Sequence, residues 1–325
     1  MNYSFRKLFV LIAFAACGST AYAQLPNEKF GKPSEVEWNY KGWGDAIDDD
    51  AIVLCKTMTV SYELSEQFGG VIEGVNELNT DNMQSLGKNM VTMEGIVVNH
   101  DFKLRIKILK PEGAKHANID ITYQDAKEVS HDNIDELLDL KVRVFSKNEK
   151  GKVVKRNVNV SDFVKERIND TYKVIHVVVP DVKADDIIEY TYKVRSPRPS
   201  FLYDWSFQEA IPVVHSKCDI EIPAFLTFDM NVPINTKLVK SKVEAGYLMY
   251  DTNRKDMKTP KKCRTNHYTI VGDNILPEGH ALTRNQGGVE GNAEVKIANF
   301  TSKIKNEGVP APVELPQGTT HLKIK

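Results

Sequence analysis

Residues 187–194 read IIEYTYKV, and this stretch decides the fold class because apolar and polar side chains alternate along it. Ile188, Tyr190, Tyr192 and Val194 fall on one side of an extended chain, and the intervening polar residues fall on the other. A period of two residues is typical of a β-strand with one buried and one solvated face. The stretch therefore predicts a half-buried strand of an antiparallel sheet.

The same alternation recurs on both sides of this strand. Strands are predicted before it at 51–64, 95–109, 141–146, 152–158 and 172–179, and after it at 202–207, 213–222, 226–232, 247–253, 266–271 and 294–300. Residues 148–151 make a turn, so 141–158 is predicted to be a β-hairpin. Strands this frequent, separated by turn residues, predict an all-β fold, an antiparallel β-sandwich with a few short helices.

Two short helices and one solvated strand face follow from local patterns. Helical spacing of apolar residues predicts a helix at 132–139, and Ser161 as an N-cap predicts another at 161–168. Lys103, Arg105 and Lys107 alternate with apolar residues in the strand 95–109. We therefore expect these three side chains to lie on the water-facing side of the sheet.

Length and composition limit the class of protein. The chain has 325 residues, of which 27% are charged and 41% hydrophobic, with a formal net charge of −1 and a mean hydropathy of −0.37. Such a length can bury a large core without disulfides or metals. The balanced charge argues against a nucleic-acid partner, because no excess of lysine and arginine is available to neutralise phosphates.

The N-terminus carries the pattern of a secretory signal peptide at residues 1–23. Arg6 and Lys7 precede a short apolar run at 8–17, and Ala21 and Ala23 form a small-x-small cleavage site. The run is shorter than the roughly 20 apolar residues that span a bilayer. The sequence thus predicts an exported protein, periplasmic or extracellular, with no transmembrane segment after cleavage. A lipid anchor at Cys17 and an uncleaved amphipathic start are the alternatives.

Export changes the interpretation of the cysteines. Once Cys17 leaves with the signal peptide, Cys55, Cys218 and Cys263 remain, and an odd count in an oxidising compartment permits one bridge. Cys218 and Cys263 are the expected pair, because both belong to the C-terminal β-rich half. Three unpaired buried thiols are the alternative.

Residues 170–223 carry a family resemblance. This stretch, together with 102–113, 151–166 and DDDAIVL at 48–54, resembles the domain of unknown function that precedes transglutaminase-like domains in exported Bacteroidota proteins. The resemblance extends over residues 45–271 and implies an all-β domain of unassigned biochemical role. In that family a papain-like Cys-His-Asp domain usually follows. No cysteine occurs from residue 274 onward, so the nucleophile of that family has no matching position here.

These features divide the chain into four parts. We expect the signal peptide at 1–23, a leader at 24–44, the β-sandwich domain at 45–273, and a β extension with a Pro/Gly-containing tail at 274–325.

The sequence contains few patterns that are typical of a catalytic or metal site. His215, Cys218, Cys263 and His267 could be written as a zinc site, but residues four apart in a strand are about 13 Å apart, too far for ligands of one ion. No phosphate-binding glycine loop or serine-nucleophile elbow occurs. The sequence predicts no cofactor, no metal site and no catalytic residue.

One cluster suggests a binding surface. Two arginines, Arg195 and Arg198, are followed by the alternating aromatic residues Phe201, Tyr203 and Trp205. Arginines beside aromatic rings can grip a peptide, a glycan or an adjoining domain. The alternative is a crossover connection whose conformation is fixed by prolines, with a core strand packed behind it.

Two functions from different classes follow. The first is an exported, non-catalytic β-sandwich that binds or scaffolds an envelope peptide, glycan or protein partner. The alternative, which rests on the resemblance, is the accessory N-terminal part of a transglutaminase-like or cysteine-peptidase-like enzyme whose catalytic domain is missing from this chain. An independent hydrolase is a third, weaker interpretation.

Overall fold

The computed structural model describes residues 27–43, 48–64, 77–78, 96–125, 134–199, 201–223, 229–231, 237–250, 261–277, 294–298 and 321–323. This part of the chain contains one α-helix, two 3-10 helices (Pro111–Ala117 and Val160–Asp162) and sixteen strands. The bounds are α1 Glu35–Asn39, β1 Ala51–Leu64, β2 Glu77–Leu78, β3 Ile96–Ile108, β4 Ile119–Gln124, β5 Glu136–Lys147, β6 Val153–Val158, β7 Val164–Arg167, β8 Tyr172–Val177, β9 Ile187–Ser196, β10 Trp205–Ser206, β11 Val213–Pro223, β12 Asp229–Asn231, β13 Lys237–Tyr250, β14 Lys261–Ile275, β15 Glu294–Ala298 and β16 His321–Lys323.

The largest sheet has nine strands. Its order is β11, β14, β13, β1, β3, β9, β5, β6, with β2 beside β14, and β11 also pairs with β1. Most neighbours are antiparallel, whereas β1 runs parallel to β11 and to the end of β13. Strand β9, predicted from the alternation at 187–194, lies between β3 and β5, with Tyr190 opposite Leu104 and Val142.

A three-stranded sheet of β4, β8 and β7 forms the second layer. Its inward side chains, among them Ile121 and Ile175, pack in one cluster with Val53, Ile106 and Tyr190 of the large sheet. The alternating apolar residues of both sheets therefore meet in a common core, which is how a sandwich removes them from water. The predicted all-β sandwich is confirmed.

The segment 27–43, predicted as a leader, is folded onto the opposite face of the large sheet. Ser34 caps α1, since its hydroxyl accepts from the Glu37 amide while the Glu37 carboxylate accepts from the Ser34 amide. Trp38 of this helix packs against Ile52, Leu54 and Phe145 in a second apolar cluster. The N-terminal segment is thus part of the fold, with its own core.

This packing overturns the predicted solvated face at β3. Lys103 is exposed as expected, but Arg105 and Lys107 are fully buried beneath the segment 27–43. The alternation of side chains along β3 was predicted correctly. The face that was expected to contact water is covered by residues far away in sequence.

Both predicted short helices are wrong. The region 132–139 enters β5, where Asp139 has a positive φ of 55° and the pairing with β9 shifts between Leu138 and Lys141. Leu137 and Leu138 pair with Val194 and Lys193 of β9, so strand pairing with a distant segment overrides the local helical spacing. In the region 161–168 only a 3-10 turn ends at Asp162, and β7 follows.

Several predictions concern the chain ends. The signal peptide predicted at 1–23 lies outside the described residues, as do residues 299–320 of the predicted β extension and tail. Within the predicted β extension, β15 and β16 form a small sheet with β10 and β12. Among the residues that the structure describes, no helix has the length and apolar character needed to span a membrane.

Candidate functional site

The predicted arginine–aromatic cluster lies on the crossover between β9 and β11. Asp135, which is 2% exposed, is its centre. The Arg198 Nη2 atom donates to both Asp135 oxygens at 2.9 and 3.1 Å, and the Tyr203 hydroxyl donates to Oδ2 at 2.5 Å. Burial first, and then the Asp135 carboxylate, raise the pKa of the Tyr203 phenol. The crossover is therefore held by a charge-assisted network.

Aromatic contacts extend this network inward. The Arg198 guanidinium lies 4.3 Å from the centre of the Phe201 ring, and Phe201 meets Tyr203 edge-on at 5.2 Å. Tyr203 in turn meets the buried His100 ring at 5.0 Å, and its amide donates to His100 Nε2. Burial lowers the pKa of His100 to about 4, so this imidazole is neutral at pH 7.

The other two predicted residues point elsewhere. Arg195 is buried and its Nε atom lies 3.1 Å from the Glu63 carboxylate. Trp205 is also buried, and its indole N–H donates to the Ser216 hydroxyl at 3.1 Å. The prediction of one exposed binding surface is therefore wrong for Arg195 and Trp205, because internal partners occupy them. Arg198, Phe201 and Tyr203 are brought together and remain partly exposed.

A second site, an open cleft beside α1, was not predicted from the sequence. It has a volume of about 650 Å³ and lies between the end of α1, the β5–β6 hairpin and the loop that joins β8 to β9. The side chains that line it carry both charges, and the cations are Lys41, Lys147, Arg156 and Lys183. Such a cleft can receive a polar ligand that carries negative groups.

Three of these cations make ion pairs or hydrogen bonds at the surface. The Lys41 ammonium pairs with Asp185 at 3.0 Å, and the Lys147 ammonium lies 3.3 Å from Glu35 and 5.1 Å from the Trp38 ring centre. One Arg156 Nη2 atom donates to the Pro180 carbonyl at 2.7 Å. All of these pairs lie at the surface, where an exposed ion pair contributes little and exchanges readily.

The buried Lys107 ammonium lies next to the cleft. Lys107 Nζ donates to the carbonyl oxygens of Glu37 and Trp38 and lies 4.0 Å from Asp185. Burial, together with the nearby cations Lys41 and Lys147, lowers its pKa to about 8 against the opposing effect of Asp185. The cleft is thus lined by cations and by the three aspartates Asp181, Asp185 and Asp186, with the Lys107 ammonium buried beside them.

A buried ion cluster fixes α1 at the cleft. Arg105 binds the carboxylates of Glu37 and Glu189 and the carbonyl oxygens of Asn27 and Lys29. One signal for this arrangement was present in the sequence, because Ser34 and Glu37 have the spacing of a capping box. The partner of that helix could not be identified, since Arg105 is 68 residues from Glu37.

The cysteines do not form the predicted pair. Cys218 is a buried free thiol opposite Ile270, and Cys263 lies seven residues earlier in β14. Seven strand residues span about 23 Å, whereas bridged Cα atoms are within about 7 Å. The expected Cys218–Cys263 disulfide is therefore incompatible with the register. Cys55 is also buried and free, and burial raises the pKa of both thiols, that of Cys55 to about 12.

No group of three or more potential ligands is suited to a metal ion among the residues that the structure describes. The His215 side chain, considered above for zinc, instead pairs through Nδ1 with Asp273 at 2.6 Å.

Comparison with known proteins gives the family. A family model described as a domain of unknown function with a solved structure, DUF3857, matches residues 99–261, half of the chain. The chain belongs to the DUF3857 family. The matched residues include β5, β6 and the β8–β9 loop, which form most of the cleft, whereas α1 precedes the DUF3857 region. No curated protein sequence matches the chain.

Solved structures also resemble this DUF3857 protein. One is the crystal structure of a protein from Parabacteroides distasonis ATCC 8503 whose name describes it as a putative protease. The two are 11% identical, with a TM-score of 0.43, over 76% of this chain and 40% of the other. The present chain thus spans less than half of that protein.

Proposed function

We propose that this DUF3857 chain is an exported, non-catalytic β-sandwich that binds or scaffolds a peptide, glycan or protein partner in the cell envelope. The cleft beside α1 carries the proposal. It is open, its exposed side chains bear charge, and the buried Arg105 cluster keeps its α1 wall in place. A preorganised polar cleft of this kind suits recognition, because its walls need no ordering when a ligand enters.

The chemistry of the described thiols supports a binding role. A cysteine nucleophile needs an accessible, stabilised thiolate. Cys55 and Cys218 have the opposite environment, because both are fully buried and burial raises their pKa values. Neither thiol is placed to attack a substrate in the cleft.

The test is retention of an envelope component by the purified, tagged chain, compared with a cleft variant. Lys41→Glu/Lys183→Glu reverses two exposed charges in the cleft. Lys32→Glu/Lys115→Glu makes the same change at exposed positions elsewhere. We expect the wild type and the second variant to retain the same component, and the cleft variant to lose it. Equal retention by all three, or hydrolase or transamidase activity of the purified chain, would contradict the proposal.

A second candidate is an accessory role in a transglutaminase-like or cysteine-peptidase-like enzyme. It is favoured by the family match and by the order of motifs described above. A separately expressed Cys-His-Asp domain from a neighbouring reading frame would then bind this chain and change activity on its addition. Absence of such a frame would leave the binding role alone.

A further inference from the structure

The cleft continues into a strongly basic hairpin at the edge of the large sheet. We infer that the β5–β6 hairpin is the docking site for an extended, acidic segment of a partner protein, which adds to the sheet as a strand beside β6. This inference rests on the proposed function and names the partner class for the same site, because Arg156 belongs both to β6 and to the cleft.

The β5–β6 hairpin carries a high positive charge. Residues 141–156 contain seven lysine and arginine residues and one glutamate, a net charge of +6 in a chain whose overall charge is −1. Most of these side chains are exposed, including those of Lys152 and Lys155. A concentrated basic patch on a nearly neutral protein attracts acidic partners and speeds their encounter.

Strand β6 lies at an edge of the large sheet. Among the strands that the structure describes, β6 pairs with β5 alone and ends the large sheet. Every second residue of an edge strand directs its N–H and C=O groups away from the sheet. Extended peptides use these groups when they join a sheet, and the side chains of the edge strand then select the sequence.

Exposed valines give a further argument. Val153 and Val154 are 38% and 48% exposed, although β6 belongs to a sheet with two covered faces. Because side chains alternate, Val153 and Lys155 share one face and Val154 and Arg156 share the other. Each face thus offers one apolar and one cationic side chain. The complementary strand has two adjacent apolar residues beside two adjacent acidic residues.

The same charges argue against a second copy of this chain as the occupant. Two β6 edges would place Lys155 and Arg156 near their own counterparts, and like charges in opposite positions destabilise strand pairing. Lysine on an edge strand commonly prevents self-association. Here it leaves an acidic strand as the partner of matching charge.

The probe is a labelled peptide, Thr-Glu-Glu-Val-Val-Glu-Glu-Thr, which presents the complementary pattern in either strand direction. Its binding to the full chain is measured by fluorescence anisotropy. One control peptide, Thr-Val-Glu-Glu-Glu-Glu-Val-Thr, has the same composition and charge in another order. A second control is the probe with alternate backbone nitrogens methylated, in both possible phases, which removes the donors that a new strand needs.

We expect Lys152→Glu/Lys155→Glu to weaken probe binding about tenfold, because it reverses two exposed charges at the site. Lys32→Glu/Lys115→Glu should leave binding unchanged, and circular dichroism should show that both variants are folded. The reordered peptide should bind more weakly than the probe, and one of the two methylated forms should lose about tenfold because the strand hydrogen bonds are missing.

Two results would overturn the inference. Equal binding of the probe and both methylated forms would show charge attraction without strand addition. No binding of the probe to the wild type would show that the proposed docking site does not exist. If the envelope component is still lost from the Lys41→Glu/Lys183→Glu variant, the proposed function survives either result. If that component is also retained equally by all variants, both proposals fail.

Discussion

Arg105 and Glu189 lie directly opposite each other on β3 and β9, and their side chains form a salt bridge that solvent does not reach. The Arg105 Nε atom donates to Glu189 Oε1 at 2.9 Å, and neither residue is more than 1% exposed. Glu37 from α1 completes the cluster on the other side of the guanidinium. A single arginine thus joins two central strands to the N-terminal segment.

Arg105→Ala should destabilise the protein by about 3–5 kcal/mol, because it removes the cation that the buried Glu37 and Glu189 carboxylates share and leaves Glu189 only the more distant Arg143 at 3.7 Å. Urea unfolding followed by circular dichroism measures this change. Lys103→Ala, on the same strand and exposed, is the control and should remain within about 0.5 kcal/mol of wild type. A similarly small loss for Arg105→Ala would contradict a stabilising role of the buried ion cluster.

This cluster also shows where sequence reasoning stops. The strand at 51–64 was predicted with its observed bounds, because alternation is a local property of the chain. The burial of Arg105 was missed, because it depends on a carboxylate 68 residues away that covers the sheet. The cleft was missed for the same reason, since α1, the hairpin and the β8–β9 loop meet only in the folded chain.

Stability should fall as the pH drops from about 6.5 towards about 4, in part because of His100. Burial lowers the pKa of this imidazole from 6.5 to about 4, so the unfolded state binds the proton first. The contribution is fully present above pH 6.5 and decreases by up to about 3 kcal/mol at pH 4. His100→Asn should flatten the pH dependence of the unfolding free energy in this window. An unchanged slope would contradict the assignment.

Asp135 and Tyr203 should be energetically coupled. Tyr203→Phe removes one hydrogen bond to the buried carboxylate and should cost about 1–2 kcal/mol, whereas Asp135→Asn should cost about 2 kcal/mol because Arg198 also loses its charged partner. The double variant should cost less than the sum of the single variants. Chemical denaturation of all four proteins measures the cycle, and strict additivity would show that the hydroxyl and carboxylate act independently.

The thiols should be unpaired and protected. We expect Cys55 and Cys218 to resist a maleimide reagent in the native protein and to react in denaturant without reductant, because both are fully buried. Peptide mapping should then find Cys218 and Cys263 separately labelled. A linked peptide containing both residues would contradict the register of β11 and β14.

Gly113 should tolerate no side chain. A Cβ atom there would lie 2.1 Å from the Asp50 carbonyl oxygen, so Gly113→Ala would force apart the 3-10 helix Pro111–Ala117 and the start of β1. We expect a loss of at least about 2 kcal/mol. Gly151→Ala is the matched control, because a Cβ there meets nothing within 4 Å and the cost comes only from its φ of +71°, about 1 kcal/mol. Thermal melting of both variants measures the difference, and equal losses would contradict the close approach.

The parallel pairing of β1 with β11 imposes an order on folding. Val53 lies opposite Val213, so the two strands are separated by most of the β domain when they leave the ribosome. Forming this contact means closing a very long loop, and chains rich in such contacts fold slowly. Strand β1 therefore lacks its β11 neighbour until β11 has been synthesised. A shortened chain that ends before residue 213 would leave this edge of β1 unpaired and prone to aggregation.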